Sequence, residues 1–417
     1  MGQLFSADSS TESKTLASSF NEYFKNFKQE SKVLSEEAKV LIQYFLEKGD
    51  VPKAVSIVSS ALKDIKNAPL SIAVTGESGT GKSTLINALR DMGNEEEGSA
   101  PTGPTETTME RTEYRHPRFP SVSIWDLPGL GTTNCPPETY LQKVKFAEYD
   151  FFLIVSATRF KDNDAQLAKA IAKMKKNFYF VRTKIDTELA NEEVAKPTTF
   201  NKDNILRVIS RDCEKKLREA QVTASKIFLI SSLHPHEYDF PELQSTLVTD
   251  VPAQKRHVLM QCLPSVTEAA IDRKTDALKQ MMFMQALKFG AVATKPFTGH
   301  ISDKDIERLE ESLVQYRSYF RLDDASLEKV AKTLHVSVEV IKANLQSPHL
   351  LSAEGDESLV EQMSQVIESA NLAGEFFVSG LYFTMVFCLQ YHFLDIVAKD
   401  AKALLEKIHL FGASASS

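Results

Sequence analysis

The chain has 417 residues, 42% of them hydrophobic and 25% charged, with a formal net charge of −7. That length implies two or three domains, and the composition excludes a fully disordered chain, a collagen-like chain and a coiled-coil rod. The acidic balance excludes a general nucleic-acid binder, which needs a basic footprint. Cys135, Cys213, Cys262 and Cys388 stand far apart, so neither a disulfide framework nor a metal-ligand pair is expected, and a reducing compartment is implied.

Residues 1–20 are polar and Ser-rich, with no continuous apolar core of the kind a secretory leader needs. Met1-Gly2-Gln3-Leu4-Phe5-Ser6 fits the N-myristoylation pattern, with Gly2 as the acceptor because the transferase needs an unhindered α-amine. Residues 1–14 are expected to be a flexible leader. A helical segment is expected over 15–66. Phe20, Tyr23, Phe24 and Phe27 recur on one helical face, and further helix runs through Val33–Phe45 and Val51–Ile65, with a break at Gly49-Asp50.

Between residues 67 and 250 the texture changes. Five short apolar runs, Leu70–Thr75, Val122–Trp125, Phe151–Ser156, Phe178–Arg182 and Ile227–Ile230, read as buried strands. Helical stretches such as Ser83–Arg90, Asp164–Lys176 and Lys202–Ala220 separate several of them. That alternation predicts an α/β domain with a mostly parallel sheet. From 251 to 411 the pattern is helical, and 412–417 reads as a tail. The helical segments before and after the α/β domain are expected to form a helical domain. Phe376–Leu394 carries no charge, but Ser379, Gly380, Thr384, Gln390 and His392 interrupt it. It is a poor membrane span and reads as a buried helix, with a membrane-active helix as the alternative.

Gly76-Glu77-Ser78-Gly79-Thr80-Gly81-Lys82-Ser83, continued by Thr84, matches the phosphate-binding loop pattern between a predicted strand and a predicted helix. Its glycines let backbone N–H groups face phosphate, and the helix N-terminus adds its dipole. Lys82 is expected on the β- and γ-phosphates, with Ser83 on Mg²⁺. Asp126-Leu127-Pro128-Gly129 lies at a predicted strand end and supplies a metal-side carboxylate and, in Gly129, a γ-phosphate-sensing N–H. Thr183-Lys184-Ile185-Asp186 selects guanine, because the Asp186 carboxylate can accept from both the ring N1–H and the 2-amino group, which adenine lacks. Ser231-Ser232 follows the last strand, where a base-contacting loop belongs. These elements in this order specify a GTP/GDP-binding domain.

The loop Pro101–Glu110 is the candidate first switch. Thr102, Thr107 and Thr108 are candidates for the Mg²⁺-contacting threonine, and spacing does not choose among them. Thr108 is carried forward with Ser83 and Asp126 as the metal set. Glu106 is the nearest carboxylate to position water, so Lys82, Glu106 and Thr108 form the candidate catalytic group. Leu130 stands where many small GTPases place a water-orienting glutamine, so hydrolysis must use another residue or a partner, or be slow. Arg159 and Lys161 follow a strand and are candidate contacts across a GTP-bound interface.

The chain resembles the immunity-related GTPases, an interferon-inducible family of about this size. The resemblance is carried by Met1-Gly2-Gln3, Ser18-Ser19-Phe20, Ala73-Val74-Thr75-Gly76-Glu77, Trp125-Asp126-Leu127-Pro128-Gly129, Glu148-Tyr149-Asp150-Phe151-Phe152, Phe178–Lys184 and Leu322–Leu327. It covers nearly the whole length. Lys82, where a regulatory subclass has Met, places the chain with the effector subclass. The resemblance implies cooperative GTP hydrolysis, GTP-dependent dimers and oligomers with itself, and partnership with members of the regulatory subclass. It further implies a cytoplasmic protein peripherally attached to endomembranes and pathogen vacuoles. Thr102, Gly103, Glu106 and Thr108 match the family's catalytic dimer interface. Residues 1–66 hold nine Lys, no Arg and nine Asp plus Glu, so no polybasic cluster supports a lipid anchor, and avidity from assembly is the expected second signal, with apolar surface around Phe376–Phe393 as the alternative. The alternative function is a nucleotide-locked scaffold with negligible turnover.

Overall fold

The structure is a computed structural model. It describes residues 17–18, 20–103, 110–128, 140, 142–158, 162–222, 226–290, 303–345 and 382–415. Helices α1 (Glu36–Glu47) and α2 (Val51–Asn67) precede strand β1 (Leu70–Thr75) and helix α3 (Lys82–Leu89). Strands β2 (Thr112–Arg115), β3 (Val122–Asp126) and β4 (Phe151–Ser156) follow, then α4 (Asp162–Lys173), β5 (Asn177–Arg182), α5 (Ile185–Ala195), α6 (Lys202–Glu219), β6 (Ile227–Leu229) and α7 (Phe240–Asp250). The remaining helices are α8 (Ala253–Cys262), α9 (Glu268–Gly290), α10 (Asp303–Tyr319), α11 (Asp324–Leu334), α12 (Val338–Lys342) and α13 (Tyr382–Ala415).

The described residues fall into two compact units. One comprises Asn67–Val251 with Gln261–Val266, and the other comprises the residues before Asn67, Pro252–Met260 and those from Thr267 onward. The first unit is a six-stranded sheet in the order β2-β3-β1-β4-β5-β6. All neighbours are parallel except β2 with β3. Every residue of β4 is buried, as is all but the first of β5, which is why these strands read as continuous apolar runs rather than alternating ones. β1 lies between β3 and β4, so the strand order reverses beside it, and in such sheets ligands gather in the crevice at the carboxyl ends.

Four details depart from the expectations. The sequence reading gave five strands, and the structure adds β2. Its Thr-Glu-Tyr-Arg sequence is half exposed on the sheet edge, where charged residues blunt an edge and hide the apolar signal. The helix expected over Asp164–Lys176 ends at Lys173, because Lys175 takes a left-handed turn (φ 54°) that sends the chain into β5. The helix expected from Val33 starts at Glu36, because Ser35 is extended and its hydroxyl caps the Ala38 N–H at 3.1 Å. The N-terminal helical stretch ends before Phe27, although Phe27 still packs 5.2 Å from the Tyr23 ring.

In the helical unit α9 and α13 pack together. Lys402 pairs with Asp272 at 2.6 Å, the Lys279 ammonium sits 4.2 Å from the Tyr391 ring, and Phe283 meets Phe387 at 6.0 Å. One number rises as the other falls, so the two helices run antiparallel. Phe387, Leu389, Phe393 and Leu394 are buried, which gives the described part of the uncharged stretch a core role. Among the described residues no helix is long and apolar enough to cross a membrane. The N-terminal segment joins this unit through a Tyr23–Phe283 stack at 4.3 Å and through the buried Gln280. Gln280 accepts from the Val33 N–H at 3.3 Å and donates to the Ser31 carbonyl at 2.8 Å. Gln280→Leu keeps the volume and strands both backbone groups, so it should cost about 1–3 kcal/mol in denaturant titration of the full chain.

Candidate nucleotide site

The site begins where β1 ends. Gly76 has φ +146°, and a Cβ there would lie 2.0 Å from the Val155 carbonyl oxygen on β4. Only glycine lets the chain pass that close. Gly81, at φ 84°, caps α3, whose first residue is Lys82. The Lys82 side chain is buried, and its Nζ donates to the carbonyls of Gly76 (3.2 Å) and Glu77 (3.0 Å). Thr80 Oγ1 donates to the Glu77 carbonyl at 2.8 Å. The loop is held by its own side chains with the ammonium inside the curve, while Ser78 and Gly79 are exposed at the tip.

Register brings the other elements to the same edge. Val74 pairs with Asp126, Thr75 with Ile154, and Ser156 with Arg182. Asp126 is buried, and the Ser83 hydroxyl lies 3.4 Å from its Oδ2. Two hard oxygen donors therefore meet at the head of α3, a donor set suited to Mg²⁺.

The base-side loop is fastened to the phosphate loop. Thr183 Oγ1 donates to the Thr80 carbonyl at 2.6 Å, and Lys184 Nζ donates to the Gly79 carbonyl at 2.9 Å. Lys184 itself is left-handed (φ 59°) at the N-terminus of α5, a conformation costing about 1–2 kcal/mol for a residue with a Cβ. Such strain persists where the surroundings fix it. Asp186 stands in the first turn of α5. Beneath it, the buried Arg182 pairs with Glu188 in the same turn. The Ile230 N–H donates to the Arg182 carbonyl at 2.8 Å, and the Ile185 N–H donates to the Ile230 carbonyl at 3.3 Å. Ser231 and Ser232 are thereby set beside the Thr183–Asp186 loop. Their hydroxyl oxygens are buried and have no hydrogen-bond partner among the described residues, as expected of groups kept for a ligand. The nearby Tyr238 hydroxyl has a raised pKa, first from burial and then from the Glu237 and Asp186 carboxylates.

The candidate first switch is anchored at both ends. Asn87 on α3 grips Ala100 twice, donating to its carbonyl at 2.9 Å and accepting from its N–H at 2.7 Å. At the far end the Arg111 guanidinium lies 4.7 Å from the Trp125 ring and donates to Glu148 at 2.7 Å. Thr102 and Gly103 are exposed just past the first anchor. Glu106, Thr107, Thr108, Gly129, Leu130, Arg159, Lys161 and Gly2 lie outside the described residues. The sequence reading did not single out Asn87 or Arg111. Neither belongs to a spaced motif, and only their cross-element contacts reveal them.

With this geometry, similarity to known proteins is specific. The family model of the interferon-inducible GTPases (IIGP) matches residues 35–408. The chain belongs to the interferon-inducible GTPase family. Its reaction is the hydrolysis of GTP, and GTP and GDP are its nucleotides. It is 52% identical to mouse Interferon-gamma-inducible GTPase 10 over 408 residues, covering 98% of this chain and 97% of that protein. It is 52% identical to mouse T-cell-specific guanine nucleotide triphosphate-binding protein 2 over 396 residues, covering 95% of each. It is 44% identical to mouse Interferon-inducible GTPase 1 over 411 residues, covering 98% of this chain and 100% of that protein.

The two loop glycines should respond differently to substitution. Gly76→Ala drives a methyl into the backbone of β4 and should abolish nucleotide binding, with a large drop in melting temperature. A methyl at Gly79 meets nothing within 4 Å, so Gly79→Ala should cost only the left-handed penalty of about 1–2 kcal/mol. Thermal melts with and without GDP distinguish the two.

Proposed function

We propose that this GTPase is activated by assembly with copies of itself and acts at intracellular membranes, including vacuoles that enclose pathogens. The observation that carries the nucleotide chemistry is the fastening of the Thr183–Asp186 loop to the phosphate loop at Thr80 and Gly79. That link makes base reading and phosphate binding one rigid unit. In this reading Lys82 and the N–H groups of Gly76–Thr84 bind the phosphates. Asp186 accepts from guanine, the Lys184 stem lies along the base, and Ser231 and Ser232 contact the base edge. Ser83 and Asp126 hold Mg²⁺ with a first-switch threonine, Thr108 in our assignment. When bound, Mg²⁺ neutralises charge that builds on the phosphate oxygens. The N–H of Gly129 senses the γ-phosphate. Water attacks the γ-phosphorus and GDP leaves with its β-phosphate oxygen as the departing group. Glu106 positions that water, since Leu130 cannot.

Assembly is supported by family membership, and by the exposure of Thr102 and Gly103 just past the anchor at Ala100. Thr102, Gly103, Glu106 and Thr108 form the self-interface, with Arg159 and Lys161 reaching across. Regulatory members of the family are the further partners. Membrane attachment is assigned to myristoylation of Gly2, strengthened by avidity in the assembled state.

Two outcomes test this reading. Asp186→Asn replaces an acceptor with a donor at the base edge and should lower GTP affinity by about 10–100-fold while improving xanthosine triphosphate, since a mismatched buried pair costs about 1–3 kcal/mol. Unchanged GTP affinity would move the base pocket elsewhere. Turnover per molecule should rise with protein concentration, and Gly2→Ala should keep that rise while passing from the membrane to the soluble fraction. A flat turnover favours the nucleotide-locked scaffold instead.

A further inference from the structure

Arg182 is the last residue of β5 and is 4% exposed. Its backbone and its side chain hold two different elements beside the base-side loop. The Arg182 carbonyl accepts from the Ile230 N–H at 2.8 Å, which sets the chain that continues into Ser231 and Ser232. The Arg182 guanidinium pairs with Glu188 on α5. Its Nε and Nη1 have no hydrogen-bond partner among the described residues, so among those residues Glu188 is the acceptor that meets this buried cation. An α-helix turns about 100° per residue. Glu188 therefore shares a side of α5 with the buried Ile185, while Asp186, two residues before Glu188, lies on the opposite side. The chain ahead of Asp186 is fixed by its backbone, with the Thr183 N–H donating to the Ser156 carbonyl at 2.9 Å and the Ile185 N–H to the Ile230 carbonyl at 3.3 Å. The Arg182–Glu188 pair is the tie on the far side of Asp186.

We propose that Arg182 is a positioning residue for guanine, acting through Glu188 on Asp186. A carboxylate that reads guanine must meet two donors at once, the ring N1–H and the 2-amino group. A small roll of α5 about its own axis would keep one of these contacts and lose the other. The bonds at Thr183 and Ile185 fix where α5 begins, and the pair beneath the helix fixes its roll. Because the carbonyl of the same residue holds β6, the spacing between Asp186 and the Ser231–Ser232 loop is set by one buried residue rather than by two independent contacts. This inference rests on the assignment of Asp186 to guanine.

The readout is the preference for GDP over inosine diphosphate, which differs only in lacking the 2-amino group. A fluorescent guanine nucleotide, displaced from the full chain by either diphosphate at a protein concentration too low for assembly, gives both affinities. Glu188→Gln keeps the shape of the side chain and removes its charge. The double substitution Arg182→Met with Glu188→Met replaces the pair by apolar side chains, a change that buried pairs often tolerate, so the test does not depend on a protein left with an uncompensated buried cation. Both variants should narrow the GDP preference by about 3–10-fold, a fraction of the worth of one hydrogen bond to a charged acceptor, and the double variant should narrow it more. An unchanged preference, including an equal loss for the two nucleotides, overturns the proposal, because merely loosened packing weakens both alike. Asp186→Ala separates the two ideas, since it should erase the preference. If it keeps the preference of the unmodified chain, the guanine assignment of Asp186 fails. If it erases the preference while both pair variants retain it, Arg182 alone is wrong.

Discussion

The close passage of Gly76 over β4 is the constraint on which the rest of the site depends. β1 is flanked by β3 and β4, so the chain leaving β1 must turn across a neighbour whose Val155 carbonyl leaves no room for a side chain. A residue with a Cβ would have to lift the loop or spread the sheet. With glycine there, the loop drops directly onto the strand ends. Lys82 then reaches the Gly76 and Glu77 carbonyls, and the head of α3 arrives beside Asp126. The loop also comes within reach of Thr183 and Lys184, which hold it from the other side. The Ser83–Asp126 pair and the Thr183–Lys184 loop are coupled because both meet the one glycine-rich loop or the helix that it opens.

The same economy governs the two ends of the candidate first switch. Asn87 substitutes its amide for a strand partner at Ala100, satisfying both backbone groups of a residue that lies outside any strand. Arg111 holds the other end by its contacts with Trp125 and Glu148, which are partly exposed and therefore weakly stabilising. The helical unit solves a different problem. Its N- and C-terminal parts are far apart in sequence, so ring stacking at Tyr23 and Phe283 and the buried amide of Gln280 must repay the entropy of closing a long loop.

The sequence by itself determined the chemistry. Spacing marks the candidate phosphate loop, the candidate metal-side aspartate and the candidate guanine-reading element, because each needs particular residue types at fixed intervals along one strand-to-helix turn. Buried parallel strands were legible because both faces are covered, which leaves long apolar runs such as Phe151–Ser156. Tertiary structure alone decided the rest. β2 is stabilised by its pairing with β3 rather than by its own polar sequence. The end of α4 depends on one left-handed residue, Lys175, which no pattern marks. The strand order put β1 at the reversal point, and thus chose which loop ends meet. Asn87 and Arg111 gained their contacts only when elements distant in the chain came together. A motif records contacts made within one turn of chain. Contacts across the sheet leave no spacing to read, because their partners are set by folding and not by sequence interval.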